Sequence, residues 1–81
     1  MNSESPLPLT LEEHRELGQE IRGANARLRE LCTMMVGVYG FENRAAHSFV
    51  RLTEAMDSLR QELQRQAALD LPGDPVDGIY L

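Results

Sequence analysis

The chain has 81 residues, which suffices for one domain, and its single cysteine, Cys32, excludes an internal disulfide. The 13 acidic residues outnumber the 8 basic residues, all of them arginine, and give a formal net charge of -5. This acidic balance argues against nucleic acid or an anionic membrane as the main partner, because both attract clustered positive charge. One free thiol is typical of a reducing compartment, so we expect a cytoplasmic protein.

The first ten residues, MNSESPLPLT, contain neither a basic stretch nor an apolar run, and we predict no secretory signal. No apolar run approaches the roughly 20 residues needed to cross a bilayer. We expect residues 1–9 to form a flexible arm, because Pro6 and Pro8 disfavour helix. Thr10 and Glu13 then form a capping-box pattern, which predicts a helix over about residues 11–39.

The segment VGVYGFEN predicts a bend between two helices. Gly40 suits the left-handed residue that follows a helix, and Asn43 or Glu42 can start the next one. The second helix is expected over about residues 43–69, because Pro72 and Gly73 stop it shortly afterwards.

Residues 72–81 predict a C-terminal tail that ends in the apolar Ile79-Tyr80-Leu81. Three apolar residues are unfavourable in water, so the tail docks on the helices, exchanges onto a neighbouring subunit or acts as a short peptide signal. Docking is the interpretation that we favour.

Apolar side chains recur at alternating spacings of four and three in both predicted helices. The first stripe contains Leu17, Ile21, Ala24, Leu28, Leu31, Met35 and Val38, and the second contains Ala45, Phe49, Leu52, Met56, Leu59 and Leu63. Such heptad repeats are typical of helices that pack side by side, and two equal arms around a glycine bend favour an all-α antiparallel hairpin over residues 10–71. One continuous helix in an antiparallel dimer fits the same stripe, but Gly37 and Gly40 disfavour it by about 1 kcal/mol each.

A hairpin this small leaves much apolar surface exposed, so we expect it to dimerise into a four-helix bundle. A second apolar zone surrounds the bend and adds to this surface. The expected oligomer or partner interface contains Leu28, Leu31, Met34, Met35, Tyr39, Phe41, Phe49, Val50, Leu52, Met56 and Leu59. The expected buried anchors among them are Leu28, Leu31, Leu52, Met56 and Leu59.

The titratable residues predict no catalytic, metal or cofactor site. Neither histidine has a glutamate three positions before it, as the di-metal four-helix bundles require, and no zinc-type spacing is present. Cys32 and His47 point in different directions, which excludes a Cys–His pair. His14 falls opposite Asp70 at the open end of the hairpin, where we expect a polar pair that caps the seam.

The pattern therefore favours a non-enzymatic protein–protein interaction module, such as a small adaptor, a chaperone-like subunit or a regulatory subunit. We expect a homodimer and allow for a further protein partner. A first alternative is binding or conversion of an acidic small molecule inside a helical bundle by Arg27 and Arg60. A second is a transcription or toxin regulator that acts indirectly, because no basic recognition helix is present.

Overall fold

A computed structural model describes residues 8–81, so most of the predicted N-terminal arm lies outside the described residues. Two helices form all the regular structure in this range: α1 spans Leu11–Tyr39 and α2 spans Arg44–Asp70. The helices pack along each other, and the described residues contain no strand. The all-α hairpin is thus confirmed, and the single continuous helix is excluded.

The capping box at the start of α1 forms as predicted. The Thr10 hydroxyl accepts a hydrogen bond from the Glu13 backbone N–H at 3.1 Å, and the Glu13 carboxylate accepts one from the Thr10 N–H at 2.9 Å. These two bonds satisfy two donors that a helix start leaves without an intrahelical partner. At the other end of α1, Gly40 adopts a φ of 88°, a conformation that L side chains rarely adopt.

Helix α2 begins one residue later than predicted, because Asn43 is its N-cap rather than its first residue. The Asn43 side chain accepts a hydrogen bond from the Ala46 backbone N–H at 3.0 Å. The helix ends at Asp70, where the Leu71 N–H still donates to the Ala67 carbonyl at 3.0 Å. The chain then turns back over the two helices, with positive φ at Gly73 and Gly78.

The hydrophobic core lies at the open end of the hairpin, where the tail docks. Its buried members are Ala67, Val76, Ile79 and Tyr80, and Leu11, Leu17, Ile21, Leu63 and Leu71 pack against them. Three of these four buried residues belong to the tail. The tail therefore docks on the helices, as the sequence favours.

The contact line between the helices is rotated relative to the predicted stripes. Small and polar residues are buried along it: His14, Gly18 and Asn25 in α1, and Ala46 and Ala67 in α2. Leu52 and Leu59, expected as buried anchors, are 51% and 45% exposed. Because small side chains let two helices approach closely, the larger leucines are displaced to the flank of the hairpin.

Candidate interaction surfaces

The docked tail distinguishes the two sides of the hairpin. Gly18 and Arg22 contact it from α1, and Arg60 and Gln64 contact it from α2. Residues seven apart occupy nearly the same side of a packed helix, so these contacts orient both helices along their length. On the side that carries the tail, Arg29 lies seven residues from Arg22 in the direction of the bend.

Arg29 binds Asp57 across the hairpin on this tail-bearing side. Its Nη2 donates to both carboxylate oxygens at 2.9 Å, and Arg60 adds a further bond at 3.0 Å. The hydrogen bond from Arg29, supported by both positive charges, lowers the pKa of Asp57 below its ordinary value of 3.8. Charged groups thus satisfy one another on this side of the molecule.

The opposite side carries what we call the leucine face. It consists of Ala24, Leu31 and Val38 of α1 and Ala45, Leu52 and Leu59 of α2, spaced seven apart in each helix. None of the six is charged. Val38 is 68% exposed, Leu52 and Leu59 are about half exposed, and a shallow apolar depression lies beside Leu52.

The predicted interface residues around the bend lie on the surface. Met34, Tyr39 and Phe41 are all more than half exposed, and Val50 is half-buried. Met34 is three residues from Leu31, so it extends the leucine face by one helical turn. The Phe41 ring meets the His47 ring edge-on, with centroids 5.9 Å apart.

The remaining predicted interface residues line the contact between the helices. Leu28, Leu31, Met35, Phe49 and Met56 are each partly buried. They pack between the helices with one edge of each side chain still accessible. The half of the hairpin nearest the bend therefore lacks the fully buried large side chains that the tail supplies at the open end.

His14 links the tail to both helices through a buried polar cluster. Its Nδ1 lies 2.7 Å from the Tyr80 hydroxyl, and its Nε2 lies 2.9 Å from the Asp70 carboxylate. The predicted pairing of His14 with Asp70 is thus present, with Tyr80 as a third member. Because a carboxylate only accepts, Nε2 donates to Asp70, and Nδ1 shares the second hydrogen bond with the Tyr80 hydroxyl.

These contacts shift the titration of two members of the cluster. The hydrogen bond from His14, with a second from Gln66, lowers the pKa of Asp70 below its ordinary value of 3.8. Burial raises the pKa of the Tyr80 phenol above 10.0, and the nearby charge of Asp70 adds to this effect. Both shifts favour the arrangement of a charged Asp70 beside a neutral Tyr80.

The tail is held mainly through its backbone by long polar side chains. Gln64 donates to the Val76 carbonyl at 2.6 Å and accepts from the Tyr80 N–H at 3.0 Å. Arg60 donates to the Tyr80 carbonyl at 2.9 Å and to the Leu81 carbonyl at 2.8 Å. Arg60 and Gln64 thus bind backbone groups of the tail, whereas the buried side chains of Val76, Ile79 and Tyr80 provide selectivity.

Gly18 provides the closest approach between the tail and a helix. A Cβ at this position would lie 2.4 Å from the Ile79 carbonyl oxygen and 2.7 Å from its Cγ2 atom. Even alanine is therefore too large here unless the tail shifts. Sequence reasoning missed this role, as it missed those of Arg60, Gln64 and Tyr80, although Gly18 follows His14 at the spacing of the contact line.

The structure does not bring together the residues considered for chemistry. Arg27 pairs with Glu30 on the exposed surface at 3.1 Å, while Arg60 holds the tail. Cys32 is half-buried, and His47 is exposed. Across residues 8–81 no group of three or more His, Cys, Asp or Glu side chains is placed to hold a metal ion.

Neither α1 nor α2 combines the length and apolar character that crossing a bilayer requires. Comparison with protein families, with curated protein sequences and with solved structures finds no match for this chain.

Proposed function

We propose that the chain is a non-enzymatic interaction module that self-associates through the leucine face, two hairpins forming a four-helix bundle. The observation that carries this proposal is the contrast between the two sides of the hairpin. One side is covered by the tail and by ion pairs, and the other presents six uncharged positions, five of which are exposed while Leu31 is partly buried. Exposed apolar side chains that are grouped on one face of a helical hairpin mark an interaction surface.

Energetic considerations support a helical partner for this face. Complete burial of a leucine side chain contributes about 1.5–3 kcal/mol, so covering a half-exposed one adds roughly half of that. In a two-fold dimer both protomers bury Leu52 and Leu59, so the gain from each leucine occurs twice in the dimer. Covering the face also completes the core of the bend half, where Leu28, Phe49 and Met56 are only partly buried.

A second copy fits this face well for two reasons. The chain carries a net charge of -5, but the leucine face contributes none of it, so two such faces meet without like charges in contact. Ala24 and Ala45 lie beside larger residues on the same face, and small beside large side chains allow two helical layers to interdigitate. In the cell, the dimer would present the bend residues Tyr39 and Phe41 to a further protein partner, and its single cysteine suits the cytoplasm.

The test is the mass in solution, by size-exclusion chromatography with light scattering over a range of concentrations. We expect the wild type to have twice the 9.1 kDa of a single chain, and Leu52→Glu to have the mass of one chain. Leu52 is half exposed in the single hairpin, so Leu52→Glu retains its helical circular dichroism. Gln61→Glu, an exposed residue of the same helix outside the leucine face, is the matched control and remains dimeric.

A wild type that stays a single chain at all concentrations contradicts self-association. A dimer that Leu52→Glu leaves intact, while its helicity is unchanged, contradicts the choice of face. The alternative of an acidic ligand bound by Arg27 and Arg60 gains no support, because their guanidinium groups contact different partners.

A further inference from the structure

The open end of the hairpin contains a groove built like a peptide-binding site. We call it the tail groove and define it by His14, Gly18, Arg60 and Gln64, the helix residues that contact residues 76–81. Gln64 and Arg60 bind backbone groups of the segment, which any sequence offers. In peptide recognition generally, backbone hydrogen bonds contribute affinity and side-chain pockets contribute selectivity.

Three side chains of the occupant carry the selectivity. Val76 and Ile79 are almost completely buried, and Tyr80 is fully buried with its hydroxyl on His14. A tight turn separates Val76 from Ile79, whose N–H lies 3.3 Å from the Val76 carbonyl. Gly78 has a φ of 75° in this turn, so the groove accepts a segment of the form aliphatic-x-Gly-aliphatic-Tyr.

The occupant is tethered to the hairpin only by an exposed connection. Residues 72–75 are exposed, and every group that recognises the segment lies on the helices. Nothing in the recognition itself requires that the segment belong to the same chain. A segment of the same chemistry from another polypeptide would meet the same donors, acceptors and apolar surfaces.

From these contacts we infer that the tail groove is a recognition site for a partner protein. Its ligand is a turn-forming segment with the pattern aliphatic-x-Gly-aliphatic-Tyr. Residues 76–81 occupy the groove in the absence of this partner and compete with it. The inference goes beyond the proposed self-association, because the groove lies on the side of the hairpin away from the leucine face.

The experiment measures binding of a fluorescent, end-blocked peptide, PVDGIYL, the sequence of residues 75–81, to full-length variants by fluorescence anisotropy. Two variants weaken the internal occupant without altering the groove: Tyr80→Ala removes the buried ring, and Gly78→Ala strains the turn. Each is first checked for retained helical circular dichroism. Having two independent variants keeps the test decisive if one of them unfolds.

We expect both variants to bind the peptide at least about tenfold more tightly than the wild type, where a tethered competitor acts at a roughly millimolar effective concentration. Adding Gly18→Ala to Tyr80→Ala abolishes binding, because the new methyl group occupies the position of the peptide carbonyl. Adding Gly23→Ala, where the methyl group meets nothing within 4 Å, is the matched control and preserves binding. A peptide with alanine in place of its tyrosine does not bind.

Absence of saturable binding to folded Tyr80→Ala and Gly78→Ala overturns the proposal. Binding that survives Gly18→Ala places the peptide elsewhere and also overturns it. If copies of the wild type instead exchange their tails, labelled and unlabelled chains form mixed dimers that Tyr80→Ala dissociates and Leu52→Glu leaves intact. That result makes the occupant a second copy and shows the proposed partner protein to be wrong.

Discussion

The Tyr80 hydroxyl lies 2.7 Å from Nδ1 of His14, although 66 residues separate them in the chain. The two rings are also packed edge to face, with centroids 5.8 Å apart. Since His14 also contacts Asp70, one imidazole joins the start of α1, the end of α2 and the tail. This buried cluster therefore ties three segments of the chain together at the open end of the hairpin.

Tyr80→Phe should lower the free energy of unfolding by about 1–2 kcal/mol, because it leaves Nδ1 of the buried His14 without its hydrogen-bond partner. The ring remains, so the packing of the tail is otherwise unchanged. Tyr39→Phe is the matched control, because Tyr39 is 60% exposed, and it should have little effect. Urea denaturation of the three proteins measures the difference, and equal midpoints would show that the hydroxyl bond contributes nothing.

Acid should destabilise the protein through Asp70. Its pKa is lowered in the folded chain, chiefly by the hydrogen bond from His14. The stability that this carboxylate contributes is therefore present above its unfolded value of 3.8 and is lost as the pH falls through the lower folded value. The thermal midpoint of the wild type should fall steeply below pH 4, roughly where unfolded aspartate begins to bind protons.

Asp70→Asn should reduce this steepness, because the side chain no longer titrates. Asp57, whose pKa is also lowered, keeps part of the acid dependence in the variant. Asp74→Asn, an exposed residue just beyond α2, serves as the control. Identical pH profiles for Asp70→Asn and the wild type would show that the contact between His14 and Asp70 does not stabilise the folded state in solution.

Replacing either of two glycines of α1 with alanine should change the stability of the protein in opposite directions. Alanine favours helix over glycine by about 0.8–1 kcal/mol, so Gly23→Ala should stabilise the protein, because its methyl group meets nothing. Gly18→Ala gains the same propensity but places its Cβ against the Ile79 carbonyl, so we expect net destabilisation. Thermal unfolding of both variants tests this directly, and a stabilised Gly18→Ala would show that the tail is not held against α1.

Local signals explain why the helix boundaries could be predicted from the sequence. The capping box at Thr10, the positive φ of Gly40 and the side-chain cap at Asn43 each act within a few residues of a helix end. Two helices of these lengths joined by a short bend then favour an antiparallel hairpin.

The rotation of the helices and the contacts of the tail lie beyond such local signals. The predicted stripe through Leu31 and the observed contact line through Asn25 share Ile21, Leu28 and Met35, so periodicity alone does not separate them. Packing decides between them, through small residues and the tail. The tail groove joins residues far apart in the chain, and no spacing along the sequence predicts that they are in contact.

Asn25 is the one polar side chain of the described residues whose buried atom has no partner. It is 9% exposed on the contact line between the helices, and its Oδ1 accepts no hydrogen bond. An unsatisfied buried acceptor costs about 1–3 kcal/mol, so Asn25→Leu, whose side chain also branches at Cγ, should raise the thermal midpoint. Gln61→Leu, at an exposed position of α2, controls for added hydrophobicity and should change little. A lower thermal midpoint for Asn25→Leu, with helical content retained, would contradict the cost assigned to the unsatisfied Oδ1.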